Sequence, residues 1–312
     1  MRLFKCLSSP VGVGLTFFVL AGVTVSFSRF SGGLAMVWVA NALLAGRLVV
    51  TPERLWRPWL ASCAVASALA TGLFGLGWAA AIPMALINVA EAAAAGLLMR
   101  RISIAFWPDD TLEWIAGYYI GIGLIIPLAS GGVATLVATF TSNVDSIDNF
   151  THWIIGHSLG LMACLPVFRF IYWRASRGRS FLPSARTWQS TVMVLGTFTL
   201  VTAGVFVLDM RALLVFPLLF LVVGAAVLDE ALIAAMPVLL IAIGGTMTAL
   251  GLGPIAQMDV AFGDRIQFFQ LYVGITVLAG LPVSCERSRR MAEIQRMQER
   301  LQRFEGLEPS RF

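Results

Sequence analysis

Few side chains in this sequence can do chemistry, and most of them lie inside apolar runs. Glu91 stands in INVAEAAAAGLLMRR, with Asn88 three residues earlier on the same helical face. An acid in the middle of a membrane span costs about 2.5–3.5 kcal/mol, so it marks either a functional site or a pair with a polar partner such as Asn41. Both readings stand on sequence grounds. His152 and His157, the two histidines of the chain, fall in HWIIGHSLG. Their spacing of five is not the i, i+4 of a helical metal pair, and no cysteine or carboxylate pattern accompanies them. His157, the deeper one, is suited to titrate, to bind a ligand, or to bond a neighbouring helix. Trp38 with Asn41, Trp153 beside the histidines, and Gln270 with Gln267 are the remaining polar or aromatic points. Interfacial anchoring is the ordinary role for Trp56, Trp59, Trp153 and Trp173. The candidate signal-sensing set is therefore Trp38, Asn41, Asn88, Glu91, Trp153, His157 and Gln270.

No recognised catalytic pattern joins these residues. The sequence has no P-loop, no GxSxG elbow, no HExxH and no dinucleotide fingerprint. Cys6, Cys63, Cys164 and Cys285 are scattered without metal or redox spacing. The expectation is a protein that is not an enzyme, with no metal, no cofactor and no nucleic-acid partner.

The elements that must position these groups are membrane helices. Of 312 residues, 58% are hydrophobic and 12% charged, against about a quarter charged in a soluble domain. Apolar stretches fall near 10–28, 34–50, 58–76, 79–99, 112–139, 151–172, 188–208, 211–228, 231–251 and 267–284. This predicts an all-α, polytopic bundle of about ten spans. Asn41 and Arg47 interrupt the second stretch, which is either a span or re-entrant. Pro127 and Gly131-Gly132 predict a kink or break in the fifth. Ser130-Gly131-Gly132-Val133-Ala134 resembles Ser31-Gly32-Gly33-Leu34-Ala35, too briefly to mark a repeat.

Arginine placement orients the bundle. Arg2, Lys5, Arg47, Arg54, Arg57, Arg100, Arg101, Arg169, Arg174, Arg177, Arg179, Arg186 and the tail arginines share one side if there are ten crossings. The other side holds only Arg29, Arg211 and Arg265. The positive-inside rule puts both termini in the cytoplasm. The outer loops are short, so a signal must be met within the bundle or at its outer mouth.

Residues 1–284 read as a membrane-embedded bundle and residues 285–312 as a cytoplasmic connector helix. The last span passes Pro282 and runs on into CERSRRMAEIQRMQERLQRF. Ile294, Met297, Leu301 and Phe304 follow a 3, 4, 3 spacing. That is a short heptad seam for a homodimer, or the apolar face of a helix lying on anionic membrane lipid.

Several stretches, in order, resemble the MASE membrane-associated sensor domain, type one. VWVANALLAG at 37–46 resembles the family's Trp-Pro-x-x-Gly-x-x-Leu-Ala stretch, without the proline and glycine. INVAEAAAAGLLMRR resembles its Asn-x-x-Glu helix ending in paired arginines, and WIIGHSLGLMACLP resembles Trp-x-x-Gly-Asp-x-x-Gly-x-Leu-x-x-x-Pro with His157 at the acid's place. FPLLFLVVGA, GLGP, QFFQ and CERSRR follow in family order. The resemblance covers roughly residues 10–290 and implies a dimeric sensory input domain of the bacterial inner membrane. Its last helix, through Pro282, Ile294, Met297, Leu301 and Phe304, would drive a cytoplasmic cyclic-di-GMP or histidine-kinase output module. No such module lies within these 312 residues, so it is expected either further along a longer chain or on a separate partner. The signal is expected to be a small molecule of unknown identity. The competing expectation is a small-molecule transporter or channel with Glu91, Asn41 and His157 along a polar path.

Overall fold

A computed structural model describes residues 6–27, 36–105, 112–141, 145–177, 185–228 and 230–305. Every regular element among them is helical. The order is α1 Pro10–Phe27, α2 Val39–Val49, α3 Arg57–Phe74, α4 Trp78–Ala105, α5 Leu112–Ala116, α6 Ile126–Thr141, α7 Ser146–Ser176, α8 Ala185–Leu208 and α9 Val215–Val227. Three short pieces, α10 Glu230–Ile233, α11 Ala235–Leu240 and α12 Thr246–Ala249, lead to α13 Phe262–Glu305. Each apolar stretch of the sequence is helical among the described residues, the fifth and the ninth as several joined pieces.

Five of the described helical segments are long and apolar enough to cross a membrane: Trp78–Ala105, Glu113–Thr141, Ser146–Ser176, Trp188–Leu208 and Phe262–Gln298. Apolar residues on the outside support a lipid surround. On α1, Val13, Phe17 and Ala21 are buried, while Val11, Leu15, Val19 and Val23 are exposed on another face. A helix that is apolar on both its inner and outer faces is built for lipid rather than water.

Of the kink or break expected in the fifth stretch, the break is not found. A π-helical passage, Gly117–Ile125, joins α5 to α6 immediately before Pro127. Proline offers no N–H to the ladder, and a wider turn beside it keeps the helix continuous. Ser31–Ala35, the other half of the suspected repeat, lie outside the described residues.

The second stretch forms the centre of the bundle. α2 has 11 residues, about 16 Å at 1.5 Å per residue, roughly half a hydrocarbon core. It is almost wholly buried and packs between α4 and α7. Two glycines permit this approach. A Cβ on Gly160 of α7 would stand 2.0 Å from the Trp38 carbonyl, and one on Gly46 would stand 2.7 Å from the Phe168 side chain. Residues 36–38 before α2 are non-helical and buried. Such backbone survives at membrane depth only where protein satisfies its polar groups. Here the Trp38 N–H donates to the Gly156 carbonyl at 2.9 Å, and the Met36 carbonyl accepts from the Gln270 side chain at 2.7 Å.

α13 has 44 residues and contains Pro282 without interruption. Its length, about 66 Å, exceeds any bilayer core, so one end must project. The apolar half lies against α7 and α9: Leu159 meets Gly274, and Leu221 meets Gly280. Arg287 then donates to the Leu228 carbonyl at 2.6 Å.

Candidate functional site

α2, α3, α4, α6 and α7 each send a polar side chain to one place. Glu91 of α4 is 3% exposed, and its carboxylate meets three donors. Asn41 Nδ2 donates to Oε1 at 2.8 Å, His157 Nδ1 approaches the same oxygen at 2.7 Å, and the Ser130 hydroxyl donates to Oε2. No lysine or arginine is among these partners. A carboxylate is an acceptor with room for about four donors, so convergent donors are what make its burial tolerable.

The partners are themselves held. Trp38 Nε1 donates to Asn41 Oδ1 at 2.9 Å, which orients the amide so that its nitrogen faces Glu91. Asn88, one turn before Glu91, donates to Ser67 Oγ of α3 at 3.0 Å. Trp153 Nε1 donates to Ser130 Oγ at 3.0 Å, leaving that hydroxyl's proton for the carboxylate. His157 is stacked between two indoles. Its ring lies 3.9 Å from Trp153 at an interplanar angle of 17°, and 5.5 Å from Trp38 at 9°.

A cleft of about 500 Å³, counting its open mouth, lies beside this network. Trp38, Trp153, His152 and His157 line it with Thr71 and Met84. Among the described residues no hydrogen bond is made by His157 Nε2, the ring nitrogen turned away from Glu91. Any molecule that enters therefore meets two indole faces and an imidazole whose other nitrogen is tied to a buried acid. The cleft lies at the end of the bundle where α13 begins, since Gln270 reaches Met36 and Leu159 lies on Gly274.

Six of the seven residues singled out from the sequence thus meet in one network: Trp38, Asn41, Asn88, Glu91, Trp153 and His157. Trp153 is buried in it rather than standing free at an interface. Gln270 is 1% exposed and touches the network's edge through Met36. Ser67, Ser130 and the Met36 carbonyl were missed. Ser130 did stand out in Ser-Gly-Gly, but as a doubtful repeat. Ser67 gave no signal beyond its place in the small-residue helix ASCAVASALATG. Of the transmission candidates, Pro282 is half-buried inside α13, and Ile294, Met297 and Leu301 are exposed. The side chain of Phe304 lies outside the described residues. No group of three or more metal-ligating side chains is present among the described residues.

The MASE1 family model matches residues 11–291. This chain belongs to the MASE1 family. The match begins at the start of α1 and ends within the charged part of α13, so it takes in the whole network and the cleft. Among curated proteins the MASE1 chain is similar to the probable diguanylate cyclase DgcE of Escherichia coli (strain K12). The two are 24% identical over 158 residues, which is 50% of this chain and 14% of that protein. The MASE1 chain thus aligns with a small part of a much longer relative. No solved structure matches it.

Proposed function

We propose that this MASE1 chain is a non-enzymatic sensory input domain of the bacterial inner membrane. It crosses the bilayer in about ten spans, with both termini in the cytoplasm. Residues 1–284 form the membrane-embedded sensor, and residues 285–312 form the cytoplasmic connector. A small molecule reaching the cleft at the outer face shifts the tryptophan–histidine stack, and α13 carries the change to a cytoplasmic output module. The relative's name points to cyclic-di-GMP synthesis as the output in question.

The observation that carries this reading is the chain of contacts from the cleft to α13, the helix that continues into the connector. His157 and Trp38 line the cleft, and Trp38 follows Met36 in the non-helical turn. Met36 accepts from Gln270 of α13. A ligand shifts an equilibrium only through contacts that differ between two states. This turn, tied to α7 through Trp38 and to α13 through Met36, is where two arrangements of α13 would diverge.

The connector acts as a homodimer. Ile294, Met297 and Leu301 are 45%, 57% and 60% exposed at heptad spacing. Two heptads are marginal alone but suffice once a membrane bundle aligns them. The test is disulfide cross-linking of Ile294→Cys and Leu301→Cys in native membranes. Efficient cross-linking that changes when Glu91 or Gln270 is substituted is the expected result. Absence of cross-links at both positions, or indifference to those substitutions, removes the transmission reading. Robust solute flux through reconstituted liposomes would favour the transporter reading instead.

A further inference from the structure

Arg47 lies in the last turn of α2, six residues beyond Asn41 and at the opposite end of that helix from the cleft. Its guanidinium is clasped between two rings from neighbouring helices. The carbon centre lies 4.8 Å from the Trp59 ring of α3 and 5.5 Å from the Tyr172 ring of α7. The side chain is half-buried, and its Nε is fully covered with no acceptor. No carboxylate among the described residues pairs with it. The α2 C-terminal carbonyls leave little for it to bind. Trp56 Nε1 donates to the Leu48 and Thr51 carbonyls at 3.1 and 2.8 Å, and Arg100 donates to Thr51 at 2.7 Å.

Two guanidinium groups thus flank the end of α2, and neither has a carboxylate partner. Ring faces attract a cation but accept only weakly from its fork of N–H donors. A partly desolvated cation with unused donors calls for an anion, and a planar fork matches a phosphate. The end of the bundle in question is also the arginine-rich one, where anionic headgroups gather. We propose that Arg47, with Arg100 beside it, holds the phosphate of an anionic lipid headgroup at the α2 terminus. The headgroup pins α2 between α3 and α7, and so steadies the helix that carries Asn41 to the sensing network. The site requires that the bundle sit in a bilayer. It rests on the proposed topology, which puts the arginine-rich end at the cytoplasmic leaflet, and not on the sensory role.

The test is native mass spectrometry of the full chain in detergent with added phosphatidylglycerol or phosphatidylcholine. The wild type should retain phosphatidylglycerol with a preference of about tenfold, the scale of a charge-assisted hydrogen bond. Arg47→Gln should lose that preference, and Arg47→Lys should keep part of it as a point charge. Arg101→Ala, at an exposed arginine, should leave it unchanged. Size-exclusion and helical circular dichroism select folded samples, and Arg47→Lys serves if Arg47→Gln does not fold. An unchanged lipid preference in the Arg47 variants overturns the site. Displacement of the lipid by inorganic phosphate at comparable concentration overturns the lipid as the source of the anion.

Discussion

The side-chain amide of Gln270 donates to the backbone carbonyl of Met36 at 2.7 Å, across 234 positions of sequence. One partner is the last helix, which leaves the bundle. The other is the non-helical turn that presents Trp38 to the cleft. The bond does two jobs. It satisfies a carbonyl that no helix can satisfy, and it makes the position of α13 sensitive to that turn.

Replacing Gln270 by Leu should therefore cost about 1–3 kcal/mol, because the Met36 carbonyl loses a buried side-chain donor. Gln267→Leu, one turn away and exposed, should stay within about 0.5 kcal/mol. Thermal unfolding of the two variants in one detergent checks the contrast. Equal stability of the two would remove Gln270 from any role at the turn.

Glu91 and His157 should be energetically coupled. Glu91→Ala leaves Asn41, Ser130 and His157 with no common acceptor, and orphaning buried donors costs about 1–3 kcal/mol each. A double-mutant cycle with His157→Ala should give a coupling of about 0.5–3 kcal/mol. Additive losses would mean that the 2.7 Å contact contributes nothing of its own.

Ser130→Ala removes one donor from Glu91 and one acceptor from Trp153 at the same time. A destabilisation of about 1–3 kcal/mol is expected from the orphaned indole N–H and the lost carboxylate contact. Tryptophan near-ultraviolet circular dichroism should change with it, since Trp153 loses its anchor beside His157. Ser130→Thr, which keeps the hydroxyl, should restore most of both signals.

Gly160 should tolerate no side chain. A Cβ there would lie 2.0 Å from the Trp38 carbonyl oxygen and 2.6 Å from its carbonyl carbon, so the backbone of one helix must move. Gly160→Ala should cost about 1–3 kcal/mol or more through overpacking. Gly132→Ala, with open space around its Cβ, should be neutral or slightly stabilising, by up to about 1 kcal/mol, because alanine favours the helix. Parallel melting curves decide this, and a similar loss at both positions would contradict the packing of α7 on the turn.

Much of this protein was legible in one dimension because lipid imposes simple rules. A run of about 20 apolar residues has few alternatives to a helix, since unpaired backbone cannot face hydrocarbon. Polar residues in such runs are expensive enough to stand out, which is how Glu91, Asn88, Asn41 and His157 were found. A break in the fifth stretch is what proline in a helix ordinarily suggests. Here a π-helical passage preserves the path. Serines escaped notice because a hydroxyl costs little in a helix and is common there.

By itself the sequence determined a helical membrane protein, its apolar segments, its family and the short set of residues in which chemistry could reside. Each follows from local composition or from ordered motifs. Only the tertiary structure decided that Glu91 takes donors from three other helices, that His157 lies between two indoles, and that Gln270 meets Met36. The hydrogen bonds among those contacts join positions 39 to 234 residues apart. They depend on which helix lies beside which, and α2 reaches the centre because Gly46 and Gly160 present no side chain to it. The register of packed helices is a property of the whole core, which no single stretch of sequence carries.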